Sequence, residues 1–285
     1  LYVAINAGGR IWQGDLSTGV GKVVIEDVNA TAMGMTFDRR NDYLWVCGGF
    51  AGSVKIYDTA NYFSLVAKIQ LAADGATTFV NDVILTDTHA YITESSQPHF
   101  YKVRWDITGT LENGPSTVAE TIPLGADFTF TPGEIFADGA LNSNGIVVTD
   151  DEKSLIIVNE LSGELFKVDP VTGEAALIDL GGALIKGGDG LVLRRNTLWV
   201  CQNRFLGDPT QGIVEVILSE DLSCGTVTRL LVNDNFNDPA TALRKGNSLW
   251  TTVSKFATPF DVVPETEYQI VRADRDSAGS DCSAL

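Results

Sequence analysis

The stretch LWVCGGF at residues 44–50 decides the fold, because its pattern returns along the chain. It is a short run of apolar, β-branched and aromatic residues followed by a Gly-rich turn and a second run, VKIYD at residues 54–58. LWVC recurs unchanged at residues 198–201 and is again followed by a polar loop and a second run, IVEV at residues 213–216. Such runs, bounded by Gly, Asp or Asn, are typical of β-strands joined as hairpins.

The same pair of runs occurs six times in all. The other four copies are LYVA with RIWQGD at 1–4 and 10–15, AYIT with YKV at 90–93 and 101–103, LIIV with LFKVD at 155–158 and 165–169, and LWTT with YQIV at 249–252 and 268–271. Their spacing is roughly the 40 to 50 residues of a propeller blade, and helical periodicity is almost absent. We therefore predict an all-β fold, a single six-bladed β-propeller over residues 1–285 with four-stranded antiparallel blades. The first copy lacks an innermost strand, which would precede Leu1, and residues 277–285 look too polar for a strand.

Composition and charge narrow the classes of partner. The formal net charge is -17, and such a surface repels phosphate backbones and anionic lipid. No stretch approaches the roughly 18 apolar residues that are needed to span a bilayer. We therefore predict no nucleic-acid partner and no membrane span, and the sequence leaves the oligomeric state open.

The cysteines and one glycosylation pattern favour the secretory pathway or the extracellular space. Cys47 and Cys201 lie in the matching LWVC runs and are predicted to be buried strand thiols. Cys224 and Cys282 lie in polar, turn-like surroundings, where a disulfide between them would hold the C-terminal tail. Asn29 begins an Asn-Ala-Thr acceptor for an N-glycan.

Polar residues stand where the innermost strands of several blades are predicted to begin. They are Asn81-Asp82, Asn144-Gly145, Asp189-Gly190 and Asn237-Asp238-Pro239. In a propeller these strand starts converge on one face around the central channel. Their amide and carboxylate oxygens suit a hard cation such as Ca²⁺, or hydrogen bonds to a ligand. The alternative is that they only build turns; their recurrence at one blade position favours a functional ring.

Three long connections on the same face, residues 124–141, 201–212 and 254–267, are unusually apolar. Their aromatic residues include Phe128, Phe130, Phe205, Phe256 and Phe260, and His99 lies in another loop of that face. Loops normally face water, so these either fold back as a small satellite core or line an apolar pocket. The second alternative predicts a hydrophobic ligand. No nucleophile-elbow motif supports a Ser/His/Asp triad, and no Gly-rich phosphate loop is present.

Asn81-Asp82, Ser143-Asn144-Gly145-Ile146 and Gly188-Asp189-Gly190-Leu191 resemble the inner-strand signatures of the SMP-30/gluconolactonase-like six-bladed propellers. Members of that family bind a divalent metal through a Glu, two Asn and an Asp. The resemblance implies that Asn81, Asn144 and Asp189 are three of these ligands, with the Glu on a strand before Leu1. Phe79 stands where sugar-lactonase members have an Arg, which argues against a sugar-lactone substrate and adds Phe79 to the hydrophobic contacts.

The chain looks closest to secreted or secretory-pathway fungal and bacterial members, and some fungal relatives are pericyclases of natural-product pathways. The resemblance implies a cofactor-free, hetero-Diels–Alderase-like cyclase that joins a tropolone quinone methide to a humulene-type sesquiterpene, which are hydrophobic substrates. The candidate catalytic residues are Asp189, Asn144, Asn81, Lys186 and Gln202; Asp189 acts as an acid only if desolvation raises its pKa. Two alternatives stay open: a lactonase dependent on Ca²⁺ or Zn²⁺ held by Asn81, Asn144 and Asp189, and a non-catalytic ligand-binding propeller.

Overall fold

The computed structural model describes residues 1–5, 7–27, 30–135, 139–256 and 269–274. Regular structure in these residues is almost entirely β-strand. The chain divides into two compact units, Leu1–Pro123 and Leu124–Leu285, and each is described by itself. The prediction of one domain over the whole chain stays a prediction.

The first unit contains three antiparallel sheets. The first sheet has β1 (Tyr2–Ile5), β2 (Arg10–Gly14) and β3 (Gly21–Ile25). The second has β4 (Met35–Asp38), β5 (Tyr43–Cys47), β6 (Ser53–Asp58) and β7 (Ser64–Gln70), and the third has β8 (Val80–Leu85), β9 (His89–Glu94), β10 (His99–Arg104) and β11 (Glu120–Pro123). Two short 3-10 turns, Ala7–Gly9 and Gly114–Ser116, interrupt the connections. Each strand pairs with the next along the chain, as hairpin connections require.

The second unit repeats this arrangement with three more antiparallel sheets. The fourth sheet has β12 (Ser143–Val148), β13 (Leu155–Asn159), β14 (Leu165–Val168) and β15 (Ala175–Leu177). The fifth has β16 (Gly188–Arg194), β17 (Thr197–Gln202), β18 (Gly212–Leu218) and β19 (Gly225–Leu231), and the sixth has β20 (Pro239–Lys245), β21 (Ser248–Val253) and β22 (Ile270–Asp274).

Six antiparallel sheets of up to four strands confirm the predicted fold class, an all-β six-bladed β-propeller. The repeated runs are the second and third strands of each sheet: LWVC of residues 44–47 lies in β5 and VKIYD of residues 54–58 lies in β6. The first sheet has three described strands, which match the second to fourth strands of the others. Residues 277–285 lie outside the described residues, so their predicted lack of a strand stays a prediction.

A β-bulge recurs at the start of the first strand in four of the sheets. The pairing register shifts between Val80 and Val83 in β8, Ser143 and Ile146 in β12, Gly188 and Leu191 in β16, and Pro239 and Ala242 in β20. Each bulge therefore contains the dipeptide that the sequence singled out, Asn81-Asp82, Asn144-Gly145 or Asp189-Gly190, except in β20, where it contains Ala240-Thr241. Bulges re-aim side chains and often lie beside functional sites.

Close packing of neighbouring first strands explains the glycine that follows two of these polar residues. A Cβ on Gly145 would lie 2.2 Å from the backbone oxygen of Asp189, and one on Gly190 would lie 2.6 Å from Oγ1 of Thr241. No side chain fits at such distances. These glycines hold β12 against β16 and β16 against β20, and so they place the polar residues of adjacent sheets side by side.

Apolar faces of adjacent sheets form the cores of each unit. In the first unit Trp45 and Trp105 meet edge to face with their ring centroids 5.7 Å apart, within a buried cluster from the second and third sheets. In the second unit one cluster joins the fourth and fifth sheets and another joins the fifth and sixth. Cys47 and Cys201 are buried in these clusters, as predicted. No helix in the described part of the chain is long and apolar enough to cross a membrane.

Three residues named in the sequence predictions lie outside the described residues: Asn29, Phe260 and Cys282. Cys224 is exposed and has no disulfide partner among the described residues. The N-glycan, the contact of Phe260 with a substrate and the disulfide between Cys224 and Cys282 stay predictions.

Candidate functional site

Asn144, in the bulge of β12, holds a buried carboxyl group that the sequence reasoning missed. Its Nδ2 donates to Oε2 of Glu160 at 2.5 Å. Glu160 follows the last residue of β13, and its backbone N–H donates to the carbonyl of Asn142 at 2.9 Å. The side chains of Asn144 and Glu160 are both buried, so the bulge and the strand end fix this pair in place.

The fifth sheet has a similar pair, but here the carboxyl group lies in the bulge and the amide lies after the second strand. Asp189 lies in the bulge of β16, and Asn203, just after β17, donates from Nδ2 to Oδ2 of Asp189 at 3.0 Å. The Asn203 side chain also hydrogen bonds to Glu160. One carboxamide therefore stands between two carboxyl groups, that of Glu160 in the fourth sheet and that of Asp189 in the fifth. We call Asn144, Glu160, Asp189 and Asn203 the amide-bridged cluster.

Burial sets the electrostatics of this cluster. Only 1% of Glu160 is exposed, and desolvation raises its pKa to about 7, although the hydrogen bonds from Asn144 and Asn203 act in the opposite direction. Burial also raises the pKa of the Cys201 thiol, and the charge of Asp189 adds to the effect. Asp189 itself is half-buried. It is therefore the more accessible of the two carboxyl groups of the cluster.

The loop after β17 begins at Asn203 of the cluster and carries one aromatic residue, Phe205. Oδ1 of Asn203 accepts a hydrogen bond from the Phe205 N–H at 2.9 Å. The Arg204 guanidinium binds Oδ1 of the buried Asp238 at 3.0 Å, which ties the loop to the start of the sixth sheet. Phe205 meets Phe256 edge to face, with their ring centroids 5.5 Å apart and both side chains half-buried. The predicted aromatic residues of two loops are thus in contact, and one of them, Phe205, lies two residues after Asn203 along the chain.

Lys186 and Gln202 lie close in sequence to the cluster residues Asp189 and Asn203, but they differ from each other in burial. Gln202 is 2% exposed and donates from Nε2 to the backbone oxygen of Lys186 at 2.9 Å. Its Oε1 is buried without a hydrogen-bond partner among the described residues. The Lys186 side chain is exposed. Gln202 therefore positions the segment before β16, and the catalytic roles of both residues stay predictions.

The predicted residues of the first unit have their own surroundings. Asn81 is buried in the bulge of β8 and donates from Nδ2 to Oγ of Ser95 at 2.9 Å. Ser95 is the residue of the third sheet that corresponds to Glu160 and Asn203 in the next two sheets. Phe79 is buried and meets Phe50 edge to face at 4.7 Å. The prediction that His99 lies in a loop was wrong, because His99 is the first residue of β10, where it packs on Tyr101. Asn81 belongs to the other compact unit from Asn144 and Asp189, so the predicted three-residue ring stays a prediction.

The two aromatic residues of the 124–141 connection are placed differently. Phe128 is buried and its ring lies 4.8 Å from that of Phe166 in β14. Phe130 is half-buried. Phe128 therefore belongs to a satellite core, the first of the two alternatives for the apolar loops, whereas Phe205 and Phe256 remain partly accessible.

The sequence prediction did not include Glu160 and Asn203, because it considered only the polar residues at the starts of the inner strands. A signal for them exists: each is the sixth residue of its repeat copy, LIIVNE at residues 155–160 and LWVCQN at residues 198–203. The matching residue is Ser95 in AYITES and Ser254 in LWTTVS. A polar residue recurring after an apolar run, opposite the bulge, marks the same face of the repeat.

The donors of the cluster are chemically suited to a hard cation. Asn144, Glu160 and Asp189 offer only oxygen atoms as ligands, which fits Ca²⁺ better than Zn²⁺, since zinc sites are usually rich in His and Cys. Among the described residues no group of three or more His, Cys, Asp or Glu side chains is placed to hold a metal ion. A cation here would therefore rely on amide oxygens as well as carboxylates.

Comparison with known proteins supports the fold and no finer assignment. No family model and no curated protein matches the chain. Among solved structures, virginiamycin B lyase from Staphylococcus aureus is similar with a TM-score of 0.59 and 12% identity over 88% of this chain and 72% of that one. A putative 6-phosphogluconolactonase from Bacteroides fragilis has a TM-score of 0.57 with 12% identity over the same shares, 88% and 72%. The U3-55K structure has a TM-score of 0.60 with 10% identity over 96% and 77%. Likeness at such identities shows the fold alone.

Proposed function

We propose that this protein is an enzyme, a cofactor-free cyclase of the pericyclase type, which activates a hydroxylated and otherwise apolar small molecule at Asp189. One observation carries the proposal. The half-buried carboxylate of Asp189 is held by the Asn203 amide at the start of the loop whose Phe205 meets Phe256. A proton acceptor in β16 is thus hydrogen bonded to the residue that begins the loop of Phe205, and Phe205 contacts the ring of Phe256 in another loop.

The proposed reaction needs one proton acceptor from the protein, which Asp189 supplies. For an ortho-hydroxybenzyl alcohol or a similar tropolone, Asp189 takes the proton of the ring hydroxyl while the benzylic C–O bond breaks. The departing hydroxide takes that proton back from Asp189 and leaves as water, so the carboxylate is restored and a quinone methide remains. The quinone methide and an alkene then form two bonds in a cycloaddition without further proton transfer.

Each part of the cluster has a role in this scheme. Asn203 orients Asp189, and the buried Glu160 accepts hydrogen bonds from Asn203 and Asn144. Asn203 and Glu160 are therefore positioning residues. Phe205 and Phe256 hold the two π-systems near one another. Positioning of this kind is worth roughly 7 to 11 kcal/mol in favourable cases.

A metal-dependent lactonase is the second candidate. It is favoured by the oxygen atoms that Asn144, Glu160 and Asp189 offer as ligands. The chain is also similar in fold to putative 6-phosphogluconolactonases from Bacteroides fragilis and Bacteroides uniformis. These three residues would hold Ca²⁺, which when bound polarises an ester carbonyl. In that case Asn203 would orient Asp189 toward the cation.

An assay with two substrate sets separates the candidates. The protein is incubated with an ortho-hydroxybenzyl alcohol plus humulene, and separately with a panel of sugar and aliphatic lactones, each with and without EDTA. We expect one stereoisomer of the cycloadduct to form faster than in buffer, unaffected by EDTA. Lactone hydrolysis that EDTA abolishes and Ca²⁺ restores would replace the cyclase by the hydrolase. No rate above buffer in either set would leave a ligand-binding propeller and reject the proposal.

A further inference from the structure

The tripeptide Asn237-Asp238-Pro239, which the sequence indicates as part of a polar ring, is not used by the proposed reaction. Asn237 and Asp238 form hydrogen bonds with both of the segments whose rings, Phe205 and Phe256, are in contact. These segments are the loop after β17 and the residues that follow β21. All of them belong to the second unit, so one pair of residues is bound to two aromatic segments at once.

The residue before each ring is held by this pair through its main chain. The N–H of Arg204, one residue before the first ring, donates to Oδ1 of Asp238 at 3.1 Å. The N–H of Lys255, one residue before the second ring, donates to the backbone oxygen of Asn237 at 3.0 Å. Each contact therefore holds the main chain within one residue of a ring.

Further hydrogen bonds at Asp238 strengthen this attachment. Its Oδ1 also accepts from Nε of Arg204 at 3.0 Å, and Nη2 of the same guanidinium donates to Oδ1 of Asn237 at 2.6 Å. The N–H of Asp238 donates at 2.9 Å to Oε1 of Gln211, at the other end of the loop after β17. The backbone oxygen of Asp238 accepts from the N–H of Ser254 at 2.9 Å. Only 1% of Asp238 is exposed, so water competes little for these bonds.

The main chain is strained at this junction. Asp238 is in the left-handed region with φ of 59°, and Lys255 is there with φ of 53°. Residues with a Cβ enter this region at a cost, although Asp and Asn tolerate it better than most. Such conformations persist where the surrounding contacts over-determine them, and they cluster at functional sites. Both strained residues lie in the segments that the hydrogen bonds to Asn237 and Asp238 join.

We propose that Asp238 is a positioning residue that sets the contact between the rings of Phe205 and Phe256. Its carboxylate holds the loop after β17 through Arg204, and its backbone holds the residues after β21. Without the charge of Asp238 the guanidinium loses its ionic partner, and the ring contact should open although both segments remain in the fold. The effect on product stereochemistry rests on the proposed function, whereas the ring contact does not.

¹⁹F NMR tests the ring contact without any substrate. Phe256 is replaced by 4-fluorophenylalanine, whose ¹⁹F shift responds to the ring current of Phe205, with the centroids 5.5 Å apart. Phe205→Leu gives the reference shift of the fluorinated ring without that neighbour. Asp238→Asn should move the signal at least halfway to this reference. Because Asn tolerates the left-handed backbone, the movement reports the lost charge. A wild-type ¹⁹F shift in Asp238→Asn would overturn the proposal.

A second ion pair of the same unit provides the matched control. Oε1 of Glu215 and Nε of Arg229 are also 3.0 Å apart, and the carboxylate side chain is 7% exposed against 1% for Asp238. Both residues lie in strands, β18 and β19, rather than in the two aromatic segments. Glu215→Gln should therefore leave the ¹⁹F shift at the wild-type value. An equal movement in Glu215→Gln would mean a general loosening of the unit and would also overturn the proposal.

Arg204→Lys tests the same attachment from its half-buried side, and it replaces Asp238→Asn should that variant not fold. Lysine keeps the positive charge but lacks the planar fork that contacts Asp238 and Asn237 together. The ¹⁹F signal should move in the same direction as in Asp238→Asn. No movement in Arg204→Lys would contradict the assigned route through the guanidinium.

Cycloadduct formation separates this role from the proposed reaction itself. With the ortho-hydroxybenzyl alcohol and humulene as substrates, Asp238→Asn should change the ratio of stereoisomers and lower the rate less than Asp189→Asn does. An unchanged ratio despite a moved ¹⁹F signal would overturn the positioning role in catalysis. If wild type forms no cycloadduct, the proposed function is rejected, and the ¹⁹F comparison alone decides whether Asp238 sets the ring contact.

Discussion

Glu94 in the third sheet and Glu160 in the fourth are buried carboxyl groups at the same end of two second strands, yet their hydrogen-bond partners differ in kind. Glu94 accepts from two backbone N–H groups, those of Phe79 and Ser96, and from the hydroxyls of Thr78 and Tyr101. Glu160 is held instead by two side-chain amides, those of Asn144 and Asn203. Burial raises the pKa of both.

We propose that this difference separates a structural carboxyl group from one that positions the proposed site. Glu94 accepts hydrogen bonds from backbone N–H groups where the chain enters β8 and where it leaves β9. One of the partners of Glu160, Asn203, also hydrogen bonds to Asp189, which is half-buried. Buried polar groups of the second kind act as positioning residues and are retained for geometry rather than stability.

The largest effect on stability is expected from Glu94→Ala. The variant leaves four hydrogen-bond donors, two backbone N–H groups and two hydroxyls, without their acceptor. Each such loss costs about 1 kcal/mol, so the free energy of unfolding should fall by about 4 kcal/mol. Glu160→Ala leaves only two amides without their acceptor and should cost about 2 kcal/mol. Urea denaturation of both variants at pH 5 makes the comparison. A larger loss in Glu160→Ala would reverse the roles assigned to the two carboxyl groups.

Phe128→Ala is expected to lower the free energy of unfolding by about 3 kcal/mol, since a buried ring against Phe166 is removed and leaves a cavity. Turnover per folded molecule should stay within about twofold of wild type, because the side chain belongs to the satellite core. The half-buried Phe130, replaced by Ala, is the control and should cost less. Loss of turnover with wild-type stability would return Phe128 to the substrate pocket.

Glu160→Gln is expected to change how stability depends on pH. The folded pKa of Glu160 is about 7 and its ordinary value is 4.5, so wild type has the full contribution below pH 4.5 and loses it as pH rises through 7. This difference between the two pKa values corresponds to about 3 kcal/mol of unfolding free energy. The variant cannot ionise at this position, so it does not lose that contribution as pH rises. Unfolding measured at pH 4.5 and pH 8 should show the variant gaining that amount relative to wild type.

Glu215 provides a control of the opposite sign for this pH series. Burial alone would raise its pKa, but hydrogen bonds from Arg229 and Trp199 lower it overall. Its contribution is therefore present above the unfolded pKa and lost as pH falls. Glu215→Gln should lose stability relative to wild type at neutral pH and recover at low pH. A flat difference for Glu160→Gln between pH 4.5 and 8 would mean that Glu160 ionises normally.

The smallest effect on stability is expected from Phe256→Ala. The edge-to-face contact with Phe205 is partly exposed, so its loss should cost about 1 kcal/mol. The ratio of cycloadduct stereoisomers should change, because the loop shapes the pocket in the proposed reaction. Chiral chromatography of the products measures the ratio. An unchanged ratio at the wild-type rate would make this pair structural only.

The fold was readable from the sequence because each blade repeats a local pattern: the LWVC runs, their turns and their spacing required no long-range information. The positions of Asn144 and Asp189 were readable for the same reason, as both start a first strand. Glu160 and Asn203 were not, because their contact depends on a bulge that shifts the register and on the approach of two sheets at Gly145. The burial of Phe128 and the accessibility of Phe205 also depend on tertiary packing, which composition does not distinguish.

We propose that the carboxylate of Asp189, held by Asn203, is the group that carries the reaction. Its most direct test is the initial rate of cycloadduct formation by Asp189→Asn beside Asp179→Asn, an exposed aspartate of the same unit whose Oδ1 accepts a hydrogen bond from the N–H of Gly181. The rate should fall roughly 10²- to 10⁴-fold in Asp189→Asn, stay at the wild-type value in Asp179→Asn, and leave the melting temperature nearly unchanged in both. A wild-type rate in Asp189→Asn would contradict the claim.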